Sequence, residues 1–101
     1  MGMGNLAKMA QQMQAEMARA EQELQNLTVE GTSGGGAVKA VATGKQEILS
    51  ITISPDVVDP EDVEMLQDLV LAAVSDALGQ ARRAGEERMA RVTGGMRIPG
   101  F

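Results

Sequence analysis

Thr28-Val29-Glu30-Gly31-Thr32-Ser33-Gly34-Gly35-Gly36-Ala37-Val38-Lys39-Ala40-Val41-Ala42-Thr43-Gly44-Lys45-Gln46-Glu47-Ile48-Leu49-Ser50-Ile51-Thr52-Ile53-Ser54 reads as three short strands joined by two glycine-marked turns. Thr28–Thr32 is the first strand, and it runs into Ser33–Gly36, where glycine tolerates the positive φ of a reversal. Ala37–Thr43 is the second, an alanine-weakened strand, and Gly44-Lys45 makes a tight turn. Gln46–Ser54 is the third and strongest. There Leu49, Ile51 and Ile53 alternate with Ser50, Thr52 and Ser54, which predicts one buried and one wet face. Turns this short make the sheet an antiparallel meander.

Long helices flank these strands. Leu6, Met9, Met13, Met17, Ala20, Leu24 and Leu27 recur every three or four residues among good helix formers, a heptad-like stripe. The pattern predicts a helix from about Gly4-Asn5, with Asn5 as cap, to about Asn26. On the other side, Asp59-Pro60-Glu61-Asp62 is a helix start. Asp59 is suited to cap, Pro60 to the first helical position, and Glu61 and Asp62 to the positive end of the dipole. This second helix is expected to run to about Val92. Its first half carries Val63, Leu66, Leu69, Val70, Ala73, Val74 and Ala77. Beyond Leu78 the large apolar residues stop, so the distal half is expected to protrude or pack thinly.

The chain is a single α+β domain over 1–101: a helical arm (1–26), a sheet body (27–58), a long helix (59–92) and a tail (93–101). Its apolar stock is lean, with eight Met, many Ala, and Phe101 as its single aromatic residue. With so little aromatic mass to bury, apolar area shared between subunits is expected, and hence a homo-oligomer. No apolar run approaches the roughly 20 residues of a membrane span, and no basic-then-apolar leader opens the chain. The expectation is a protein of the cytoplasm with no membrane partner.

Catalysis has no residues to work with. The chain has no His and no Cys, so the commonest general base, the commonest metal ligand and the thiolate nucleophile are missing. Asp56, Asp59, Glu61, Asp62, Glu64 and Asp68 read as cap charges and a solvated face rather than a metal or acid–base cluster. Ser33–Gly36 lacks the Lys-Ser/Thr and following helix of a phosphate cradle. The reading is a non-enzyme with no catalytic residue, no metal, no cofactor and no small-molecule substrate.

Charge is segregated along the chain. Its net value is −5, yet residues 47–76 hold eight carboxylates and no basic residue, while Arg82, Arg83, Arg88, Arg91 and Arg97 lie in the last twenty positions. Binding to phosphate follows the local patch within a Debye length of ~10 Å, not the total. Dipole compensation at a helix end, with pairing to Glu86 and Glu87, accounts for one or two of these arginines. Nucleic-acid backbone contact, a protein partner and a solvated surface all stay open on residues alone. Arg's planar fork favours the first. Thr93-Gly94-Gly95-Met96-Arg97-Ile98-Pro99-Gly100-Phe101 is left over, for one glycine suffices to stop a helix.

Several blocks together carry a resemblance. They are Leu6-Ala7-Lys8-Met9-Ala10-Gln11-Gln12-Met13-Gln14, Val29 through Lys39, Ile51-Thr52-Ile53-Ser54-Pro55, Glu64-Met65-Leu66-Gln67-Asp68-Leu69-Val70, and the closing Gly94-Gly95-Met96-Arg97-Ile98-Pro99-Gly100-Phe101. In this order and spacing the chain resembles the bacterial YbaB/EbfC family of nucleoid-associated proteins over nearly its whole length. The resemblance implies an α-β-β-β-α protomer and a tweezer-like homodimer with projecting helical arms. It also implies binding of double-stranded DNA in the nucleoid, altered DNA conformation and gene regulation. Carried onto this chain, the arms are about 5–16 and 80–97, and Lys8, Arg19, Arg82, Arg83, Arg88, Arg91 and Arg97 are the candidate phosphate contacts. The rival reading is a protein-interaction adaptor that uses the Met-rich helix or the acidic 47–76 face and does not bind DNA.

Overall fold

The computed structural model describes residues 2–94, with side chains described for 4–92. Helix α1 (Gly2–Asn26) is followed by strands β1 (Thr28–Ser33), β2 (Val38–Thr43) and β3 (Ile48–Ile53), then helix α2 (Val63–Gly94). The strands form one antiparallel sheet in the order β1-β2-β3, so the α-β-β-β-α order and the meander are as the sequence predicts. The tail call on 93–101 lies outside the residues whose side chains are described.

Helix α2 lies across β1 and β2 at unusually close range, because every side chain at the contact is small. Ala73, Ala77 and Ala81, one turn apart, are completely buried, as are Ala40 and Ala42 of β2 and the one larger residue, Val38. A Cβ on Gly31 of β1 would stand 2.3 Å from the Ala77 nitrogen and 2.4 Å from the Ala73 carbonyl oxygen. Only glycine lets the backbones meet there. The free edge of β1 is covered by the same helix: the Thr32 N–H donates to Asp76 at 3.0 Å, and Gln80 donates to the Glu30 carbonyl at 2.8 Å. An edge strand otherwise presents unpaired backbone groups, and α2 satisfies these two. Hydrogen bonding from Thr32, then from Gln80, holds the Asp76 carboxyl below its ordinary value, helped by the nearby Arg83 charge.

The third strand departs from expectation. It is shorter, Ile48–Ile53, and exposed along its whole length. An irregularity between Val41 and Ala42 pairs Val41 with Ser50 and Ala42 with Ile48, leaving Leu49 as the extra residue of a bulge. One inserted residue reverses the side-chain parity. The row aligned with the core residues Val38, Ala40 and Ala42 is therefore Ile53, Ile51 and Ile48, not Leu49, Ile51 and Ile53. That row faces the helix side of the sheet, but α2 packs mainly over β1 and β2 and leaves it open. Ile51 stays 44 % exposed and Ile53 36 %.

Helix ends also shift. Asp62, not Asp59, caps α2: its carboxylate accepts the Met65 N–H, while Asp59 caps the preceding turn through the Glu61 N–H. Pro60 lies in that turn. Helix α1 begins at Gly2, so Asn5 lies inside it and caps nothing. At its C-terminal end the Gly44 N–H donates to the carbonyls of Leu24 and Leu27, tying α1 to the β2–β3 turn.

The distal half of α2 is paired, not bare. Helix α1 runs antiparallel along it, with Ala20 and Leu24 buried and Leu24 seated against Gly85. The Cα radius of gyration is 19.8 Å and the extents 72 × 24 × 16 Å, against about 13 Å for the radius of a compact chain of this length. The molecule is a small sheet body from which a two-helix arm projects.

Candidate nucleic-acid interface

The arm exists because the two helices outrun the sheet. At 1.5 Å per residue, α1 is roughly 37 Å long and α2 roughly 48 Å, while β strands of six residues span about 20 Å. Past the sheet the helices have only each other to pack on. Alanine, glycine and long amphipathic side chains make that packing.

Arginines on the arm were expected to pair with Glu86 and Glu87 if they paired at all. Instead one of them, Arg88, meets a carboxylate of α1. The Arg88 Nε donates to Glu23 Oε2 at 2.6 Å and Nη2 to Oε1 at 3.3 Å, a two-pronged bond between the helices. The Arg88 side chain is only 18 % exposed. Its guanidinium holds the Glu23 carboxyl below the ordinary 4.5, and Glu23 in turn raises Arg88. Arg19 pairs with Glu16 at 3.3 Å, one turn back on its own helix, with both side chains well exposed. Arg91 is exposed and adds to the field on Glu23. Arg19, Arg88 and Arg91 thus converge on one groove of about 540 Å³ between the helices, shared with Gln12, Ala15, Glu16 and Val92.

The remaining candidates do not join them. At about 100° per residue, Arg82, Arg83, Arg88 and Arg91 spread around the helix. Arg82 is exposed on the side away from the sheet, and Arg83 lies on the β1 side beside Asp76. Lys8 is exposed near the far end of α1, beyond the groove. Arg97 lies outside the described residues. The six described candidates therefore resolve into a groove set, an arm-end lysine and an outer pair at the arm's root. The sequence reading missed Glu16 and Glu23, whose spacing of seven places both toward the facing helix. That spacing was a visible signal, but the antiparallel register that gives it meaning was not.

Apolar surface is left uncovered on the body. Leu66, Val70, Leu71 and Val74 line a shallow dish on α2, with Gln67 at its rim, and Leu71 is 66 % exposed. Val58, Val63 and Met65 are exposed as well. The first helix carries more: of its stripe, Ala20 and Leu24 are buried, but Leu6, Met9, Met17 and Leu27 are not. Among the described residues no helix is long and apolar enough to cross a membrane.

A lean three-stranded body and a projecting pair of helices that carries guanidinium groups define an arm-bearing α+β protein. Comparison with known proteins makes the class specific: residues 1–96 match the YbaB/EbfC DNA-binding family, and the chain belongs to it. It is 55 % identical over 104 residues to a nucleoid-associated protein of Moorella thermoacetica, covering all of both chains. It is 57 % identical over 97 residues to the nucleoid-associated protein TTE0040 of Caldanaerobacter subterraneus subsp. tengcongensis, covering 96 % of this chain and 87 % of that one. The fold matches the crystal structure of the uncharacterized protein HP0035 from Helicobacter pylori with a TM-score of 0.71 at 24 % identity, over 95 % of this chain and 97 % of that one. The family is one of DNA-binding proteins, not of enzymes.

Proposed function

We propose that the protein is a homodimeric, nucleoid-associated binder of double-stranded DNA that grips the phosphate backbone with its helical arms, altering DNA conformation and thereby gene expression. The observation that carries this reading is the arm itself: two helices free of the sheet, in a DNA-binding family, bearing exposed Arg82, Arg83 and Arg91 with Lys8 toward the far end. Arg19 joins them by exchanging its exposed Glu16 partner for a phosphate, since a surface pair of this kind is worth only about 0.5 kcal/mol. Arg97 belongs to the same set by sequence. Arg88 has a different part: bound to Glu23, it holds the helices in register so that its neighbours are presented. Phosphate contacts position a protein without reading bases, so specificity is weak.

The dimer is supported by what one protomer leaves open. The row Ile48, Ile51 and Ile53, the unpaired edge of β3 and the dish on α2 lie on the same side of the body, a self-complementary surface of the kind that closes a two-fold dimer. Two protomers joined there would carry two arms.

A gel-shift series with unrelated duplexes at several salt concentrations tests the function. Backbone binding weakens with salt at a log–log slope near −0.9 per phosphate contacted. A protein that retards no duplex at low salt would support the adaptor reading instead. Sedimentation equilibrium tests the dimer, which has twice the 10.6 kDa chain mass.

A further inference from the structure

The cations of the arm are divided unevenly between its two flanks. Asp76 and Gln80 mark one flank of α2, since both are tied to β1: the Thr32 N–H donates to Asp76, and Gln80 donates to the Glu30 carbonyl. At about 100° per residue, Arg83 and Glu87 keep to this side, three and seven positions beyond Gln80. Arg82 does not. It lies four and eleven positions beyond Leu78 and Leu71, on the flank that turns toward β3 and carries the exposed dish.

Helix α1 is divided in the same way. Lys8, Gln12 and Arg19 share one line at spacings of four and seven, while Met17 and Glu21 lie on the other side. The hollows between the helices show which lines meet. Gln12 and Arg19 line one with Arg91, and Glu87 and Arg91 line the next with Glu23. Lys8, Arg19, Arg83 and Arg91 therefore share the β1 flank, and of the exposed described candidates Arg82 alone stands on the other. Facing positions sum to about 110, from Leu24 against Gly85 and Glu23 against Arg88, which sets Arg91 level with Arg19 and Arg83 level with Leu27. The strip from there to Lys8 is roughly 28 Å long, close to the ~34 Å of one duplex turn. Three carboxylates beside it are engaged within the protein: Glu23 by Arg88, Glu16 by Arg19, and Asp76 by Thr32 and Gln80. Glu87 stands in the strip itself.

We propose that duplex DNA lies along the β1 flank of the arm, held by Lys8, Arg19, Arg83 and Arg91, with Arg82 outside the interface and Glu87 opposing it. The inference rests on the DNA-binding reading above and adds which side of the arm is used. A helix is about 10–12 Å across, more than the ~8 Å Debye length at physiological salt, so a charge on the β3 flank contributes little to phosphates on the other. A dimer closed at β3 then carries its DNA on the flanks turned away from the seam.

Two pairs of sequence neighbours test it, because each pair changes the same charge on the same stretch of helix. Gel shifts of one duplex compare Arg83→Ala with Arg82→Ala, and Glu87→Gln with Glu86→Gln, in the full-length protein. Circular dichroism checks that each variant keeps its helices. Arg83→Ala should weaken binding about threefold and lower the salt slope by about one, while Arg82→Ala leaves both near wild type. Glu87→Gln should tighten binding about threefold, a gain that loss of fold cannot mimic, and Glu86→Gln should change it little. The chain has no Cys, so a photo-crosslinker on Gln12→Cys or Glu21→Cys is attached at one place only. Position 12 should capture the duplex and position 21 should not. Equal effects within each pair, or capture from position 21, overturn the one-sided strip and leave DNA binding standing. A wild-type protein that retards no duplex overturns both.

Discussion

Gly31 and Glu23 each hold a joint of this molecule by a different physics. Gly31 is a steric requirement: α2 backbone atoms occupy the space its Cβ would need, and backbone moves only if the helix moves. Gly31→Ala is therefore expected to cost about 3 kcal/mol, at the upper end for overpacking. A thermal melt should fall by more than ~10 °C for a domain of this size. Glu23 is an electrostatic requirement. Its carboxyl is held below 4.5 by Arg88, so the charged form is favoured in the folded arm. A depressed carboxylate contributes stability that is present above its unfolded value and lost as pH falls through the folded one. Asp76, depressed below 3.8 by Thr32, adds the same sign. Melting temperature should thus drop as pH falls below about 4.5, and Glu23→Gln should start lower at neutral pH and fall less steeply. An unchanged pH profile in that variant would show that the Glu23–Arg88 bond contributes nothing to the fold.

Strand β3 and the α1–α2 pair both leave large apolar side chains exposed. Ile51 sits on the uncovered helix-side row, and Thr52, opposite Lys39, on the other face. In the proposed dimer, Ile51→Asp buries an unpaired charge, at a cost of several kcal/mol, so the sedimentation mass should fall toward one chain. Thr52→Asp should leave it unchanged. Equal effects would mean that β3 is not the seam. The helix pair behaves differently, because its buried residues are small and its inter-helix bond is polar. Arg88→Ala should loosen the arm, raising amide exchange over α1 while β1 and β2 keep their protection.

For the entire protein the decisive quantity is the local field of an arm on a chain of net charge −5. Replacing Arg82, Arg83 and Arg91 together by Ala removes exposed charge and no buried contact, so helix content and mass should be unchanged. DNA affinity should fall by about tenfold or more, with a smaller salt slope and a similar loss on unrelated duplexes. A variant that binds as tightly as wild type would remove these residues from the interface and favour the protein-partner reading. Loss on one duplex alone would mean that bases, not phosphates, are being read.

Local pattern was enough to specify the elements and their order. Alternation marked β3, the three-and-four spacing marked α1, and acidic residues around Pro60 marked the start of α2, because each signal arises within a few residues of chain. The closing tail and the lopsided charge pointed to the family by the same local means. What those patterns leave open is everything that depends on which surfaces meet. The bulge at Leu49 brought Ile48 instead of Leu49 into line with Ile51 and Ile53 through pairing with β2, a non-local event. The Met stripe looked like a seam, yet of its residues only Ala20 and Leu24 are buried, since the register of two antiparallel helices sets how far they overlap. Arg88 looked like its neighbours until Glu23, sixty-five residues away, came within 2.6 Å. Periodicity records which face of an element is apolar; the folded chain alone specifies what that face touches, because packing and charge pairing act through space and not along sequence.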